Sequence, residues 1–139
     1  NVLNIGAAKT GLDFIQAIAL GIMCNALVCL AVWMCFSART VTDKILAIIP
    51  PIAGFVAAGF EHSVANMYFI PIALFVKNWG DPKFFETIGK TAENFPTITW
   101  GNFLIANLLP VTIGNIIGGA VMVGVIYWAI YLRGKKSTK

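Results

Sequence analysis

Charge is scarce in this chain and histidine occurs once. Ten Lys and Arg and six Asp and Glu hold charged residues at 12%, against 58% hydrophobic ones, and the mean hydropathy is +0.81. Soluble domains carry about 25% charged residues, so this balance marks a membrane protein. With His62 alone, a zinc hydrolase of the His-Glu-x-x-His type is excluded, because Asn66 stands where its second histidine would. Cys24, Cys29 and Cys35 share one apolar run at spacings that match neither zinc nor redox motifs, and they are expected to be small buried hydrophobes. No catalytic residues, metal ligands or cofactor are therefore expected, and the chain is not read as an enzyme. Arg133, Lys135, Lys136 and Lys139 close the chain without interleaved aromatic residues, which argues against nucleic acid and for a cytoplasmic membrane flank. An initiator Met and a signal-peptide layout are both lacking, so the chain is expected to be part of a longer polypeptide.

What is abundant is apolar length. At about 20 residues per bilayer crossing, 139 residues leave room for three spans. The first is expected over residues 13–36, ending in the polar turn "SARTVTDK". The next apolar run, residues 45–76, would extend roughly 48 Å as one helix, well beyond the hydrocarbon core of about 30 Å. Glu61, His62 and Ser63 sit near its midpoint behind Gly59, which predicts a break over residues 59–65 and two half-helices. In "DPKFFETIGK", Asp81 as N-cap and Pro82 at the first helical position predict a short amphipathic helix on the membrane surface. The third span is expected over residues 102–132, bent by Pro110, with a basic tail at 133–139. Gly114 and Gly118, like Ala120 and Gly124, stand four apart and predict close approach of another helix. Positive residues on the inner flanks, Arg39, Lys44 and the tail, predict a cytoplasmic C-terminus.

An ionisable group at bilayer depth is costly, so His62 is a functional candidate rather than a core histidine. Glu61 is its neighbour in sequence, but adjacent helical residues do not share a face. The expected role of Glu61 is to accept backbone amides freed by the break, and Ser63 belongs to the same broken-helix loop. Asn25 lies in mid-span, where it either locks two helices together or forms one polar station in a narrow passage. A half-helix beginning just after His62 turns its free amides and positive dipole end toward that station, which favours an anion.

"GFEHSVANMYFIP", "MCNALVCLAVW" and "NLLPVTIGNIIGGAVMVGVIYWAIYL" closely resemble the formate/nitrite transporter family, its formate channels in particular, across essentially the whole chain. The resemblance implies an all-α transmembrane fold in which three spans, the second broken at its midpoint, form the second half of an aquaporin-like inverted-repeat bundle. It also implies a homopentamer in the bacterial inner membrane, with a pore in each protomer and the N-terminal half of the same protein as the missing partner of this chain. Residue by residue, His62 matches the central pore histidine, Asn25 the pore asparagine, Glu61 the glutamate of the broken helix and Lys9 a lysine at the pore entrance. Phe55 and Val28 resemble the apolar constriction. The implied function is a channel or proton-coupled carrier for small monovalent anions, formate first, with nitrite and hydrosulfide as family alternatives. A non-transporting membrane subunit, such as a haem anchor, is the rival reading from another class.

Overall fold

The computed structural model describes residues 1–134; Lys135, Lys136 and Lys139 of the expected basic tail lie outside the described residues. The described chain is all-helical. In order come α1 (Val2–Thr10), α2 (Phe14–Cys35), α3 (Val41–Ala57), α4 (Ser63–Trp79), α5 (Pro82–Ile88) and the long α6 (Asn102–Tyr131), with one short turn of 3₁₀ helix at Ala92–Asn94. Among the described residues two helices, α2 and α6, are long and apolar enough to cross a membrane.

Local chemistry sets the boundaries. Thr40 and Asp43 form a reciprocal capping box: the Asp43 N–H donates to Thr40 Oγ1 at 3.1 Å and the Thr40 N–H to Asp43 Oδ2 at 3.0 Å. α3 ends at Ala57, and the chain turns through Gly59 at φ +68°, a left-handed conformation that strains any residue bearing a Cβ. α4 resumes at Ser63, so the helical gap covers residues 58–62 and begins one residue before the interval anticipated from the sequence. Asp81 caps α5 through the Lys83 N–H at 2.9 Å, with Pro82 in the first turn.

α2 packs chiefly on α6 and α3, and α1 packs on α4. The first of these contacts is glycine-mediated. A Cβ on Gly114 or Gly118 would collide with the backbone carbonyls of Ile18 and Ile22, and one on Gly21 would lie 2.8 Å from the Val111 carbonyl oxygen. The expected Gly114–Gly118 pair therefore marks a real helix crossing. Ala120 and Gly124 do not extend it, since Ala120 is exposed and Gly124 meets only its own helix. α6 is wound with wider i→i+5 turns over Asn102–Leu108 and Ile117–Val125, the first of them just upstream of Pro110, whose ring removes one ladder donor.

A compact apolar cluster lies around α4. Ile70, Ala73 and Leu74 meet Leu3 of α1, Phe95 and Ile98 of the connecting segment, and Phe103 of α6. Lys77 pins that connection by donating to the carbonyls of Phe95 at 2.8 Å and Ile98 at 2.9 Å. α3, by contrast, buries no residue, and Ile45, Leu46 and Val56 are each more than half exposed. An apolar face of that kind is stable only against lipid or more protein.

Candidate functional site

The break between α3 and α4 places polar groups from three segments around Asn115 of α6. Its Oδ1 accepts from the Ser63 backbone N–H and from Ser63 Oγ, both at 3.0 Å. Its Nδ2 donates to the carbonyls of Gly21 at 2.9 Å and Glu61 at 3.0 Å. Its own backbone carbonyl accepts Asn25 Nδ2 at 2.7 Å. One buried amide thus holds the residues on either side of His62 and ties them to α2. Sequence reasoning met Asn115 only as part of a family motif and gave it no role; the cost of an amide at bilayer depth was the signal that could have found it.

Glu61 occupies a different position from the one anticipated. Its carboxylate receives no backbone amide of the break. It accepts Lys9 Nζ at 2.8 Å on Oε1, and Asn66 Nδ2 at 2.6 Å and Asn107 Nδ2 at 3.2 Å on Oε2. Asn66 Nδ2 also donates to Asn107 Oδ1 at 2.8 Å, and Asn107 Nδ2 to the Lys9 carbonyl at 2.8 Å. The Lys9 and Glu61 side chains are only 17% and 5% exposed, so this is a mostly desolvated ion pair rather than a free entrance cation. Asn66 Oδ1 is the one buried side-chain polar atom without a partner among the described residues.

His62 is half-buried and caps α4. Its Nδ1 accepts the Ala65 N–H at 3.4 Å, and its ring lies 6.0 Å from that of Phe55, tilted by 30°. With Nδ1 accepting, the neutral ring carries its proton on Nε2, where it can donate. Any second proton must enter at Nδ1, so gaining charge and uncapping α4 are one event. The N–H groups of His62 and Val64 have no partner among the described residues, whereas those of Ser63 and Ala65 are taken. The half-helix therefore offers fewer free amides than its bare N-terminus implies. Val28 is half-buried on α2, one turn beyond Asn25. The structure thus brings His62, Phe55, Ser63 and Asn25 to one locus around the break, and gathers Lys9 and Glu61 into a separate network beside it.

Long apolar helices, with an irregular segment between α3 and α4 some of whose polar groups are satisfied by α2 and α6, point to a membrane protein with a broken helix. Residues 1–129 match the family described as formate/nitrite transporter. The chain belongs to that family. It is 50% identical over 133 residues to the formate channel FocA of Escherichia coli K12, covering 96% of this chain and 47% of that protein. It is 41% identical over 128 residues to a probable formate transporter of Methanothermobacter thermautotrophicus, covering 92% and 40%. A solved structure described as a pentameric formate channel with formate bound superposes with a TM-score of 0.89 at 48% identity, covering 95% of this chain and 52% of that one. The chain spans about half the length of the relatives it matches.

Proposed function

We propose that the protein containing this chain is a channel or proton-coupled carrier for small monovalent anions, formate first. The observation that carries the reading is the set of donors at the break without a partner among the described residues, His62 Nε2–H and the His62 and Val64 N–H groups, with the Asn25 amide held nearby on the Asn115 carbonyl. The formate bound to the pentameric relative supports the choice of anion.

On this reading the chain supplies three spans, residues 13–36, 45–76 and 102–132, as the second half of an inverted-repeat bundle, and the N-terminal half completes the pore wall. Five copies assemble in the bacterial inner membrane, with the C-terminal tail in the cytoplasm. The exposed apolar faces of α3 and α4 support this, because they need lipid or protein cover. Asn25 and His62 receive the anion. Phe55 and Val28 narrow the passage beside them, and a carboxylate crosses that dry stretch best as the neutral acid, since desolvation favours its protonated form. Lys9, matched to a lysine at the pore entrance, neutralises Glu61 and so fixes the wall of the pore.

The test is uptake of labelled formate, nitrite and hydrosulfide into liposomes holding the complete protein. Saturable formate uptake sustains the proposal. Tight liposomes that admit none of the three anions would leave the chain as a non-transporting membrane subunit.

A further inference from the structure

We propose that Gly119 is a positioning residue, whose missing side chain seats the Asn25 amide against α6 and so sets how the polar station presents itself to an anion. The inference rests on the transport reading above. Gly119 is buried on α6. An added Cβ there would stand 2.6 Å from Asn25 Nδ2, 3.4 Å from Asn25 Cγ and 3.0 Å from Cys29 Sγ. Every one of these is a side-chain atom. At Gly114 and Gly118, by contrast, the obstructing atoms are backbone of α2.

The difference decides what a methyl group does at each place. Backbone on a packed helix cannot yield without separating α2 from α6, so alanine at Gly114 or Gly118 is expected to cost assembly. The end of an asparagine side chain can yield by changing rotamer. Its displacement removes the 2.7 Å hydrogen bond to the Asn115 carbonyl, and Asn25 is otherwise free to turn because its Oδ1 has no partner among the described residues. Gly119→Ala therefore trades a fixed amide for a displaced one while leaving the helix crossing in place. Asn25 is joined through Asn115 to Ser63, next to His62, so the displacement falls at the station itself.

The experiment is a double-mutant cycle in the complete protein: wild type, Gly119→Ala, Asn25→Ala and the double variant, reconstituted in liposomes. Formate uptake is measured over a range of concentrations, and assembly is checked by size-exclusion chromatography. Gly119→Ala is expected to assemble normally and lose at least about twofold in formate uptake, the lower bound for coupling between touching groups. That loss should vanish in the Asn25→Ala background, where no amide remains to displace. Wild-type uptake from Gly119→Ala, or a loss of equal size in both backgrounds, would overturn the proposal. If Gly119→Ala alone fails to assemble, the double variant must assemble, because trimming Asn25 removes the 2.6 Å clash and leaves only the Cys29 sulfur, at 3.0 Å, to give way; its failure would also overturn the proposal. An inactive wild type would instead refute the transport reading, and the assembly comparison would still report on the contact.

Discussion

Two polar clusters meet at the break in the second apolar run, and they are built on opposite terms. Around Glu61, Lys9, Asn66 and Asn107 bond to one another so thoroughly that only Asn66 Oδ1 is left over. Around His62 the network stays open, and the His62 and Val64 N–H groups have no partner among the described residues. A closed network of buried groups specifies structure, because each member is expensive to orphan. An open set of donors in the same low-dielectric setting is suited to a visiting anion. Sequence neighbours therefore differ in kind: Glu61 is tied into the closed network, and His62 stands among the open donors.

The largest effect should come from breaking the closed cluster. Glu61→Ala leaves the Lys9 ammonium mostly buried and unpaired, a loss of about 3–5 kcal/mol for a broken buried pair; it should appear as a large drop in thermal stability of the detergent-solubilised complex. Unchanged stability would mean that the pair is dispensable. Next comes the hinge between the clusters. Asn115→Leu orphans the Ser63 N–H and the Glu61 carbonyl, at about 1–3 kcal/mol for each group that stays buried, while the Gly21 carbonyl keeps its helical partner within α2. Hydrogen exchange should then accelerate at Ser63, while the capping box of α3 keeps its protection.

Asn25→Ala should cost little stability, about 1 kcal/mol for one hydrogen bond, yet reduce formate uptake severalfold. Equal losses in stability and flux would move Asn25 into the structural class. The smallest effect belongs to the exposed capping box. The hydrogen bonds from Thr40, its side chain first, hold the Asp43 carboxyl below its ordinary value of 3.8. Because the folded value is depressed, this contribution is fully present above the ordinary value and disappears as pH falls through the folded one. Amide exchange at the start of α3 should quicken in that acid range, and Thr40→Ala should remove the step without altering transport.

The helices and the break were legible in the sequence because their causes are local. An apolar run too long for the bilayer, a polar midpoint and Gly59 place the interruption, and Asp81 with Pro82 starts α5 where expected. α1 was not foreseen, since nine residues with no clear apolar face take their helical support from packing on α4. Glu61 was assigned the wrong partners for a related reason. Asn66 lies five residues away, but Asn107 and Lys9 lie 46 and 52 residues distant, and only the fold joins them. Asn115 stayed silent because an asparagine in an apolar run announces that it needs partners without naming them. Gly114 and Gly118 announced a contact by spacing alone, though the spacing could not identify α2 as the other side.

The claim that open donors serve the anion while closed ones serve the fold is tested most directly by the pH profile of formate uptake with His62 replaced. Asparagine at position 62 can still cap α4 and donate a hydrogen bond, but it cannot take up a proton as an imidazole can. Complete protein carrying His62→Asn should keep its assembly and its formate uptake and lose most of the dependence on external pH between about 5 and 8, whereas His62→Phe, which adds bulk and removes the donor, should block uptake. Wild-type rate and pH profile from His62→Phe would contradict the account and return His62 to the structural cluster.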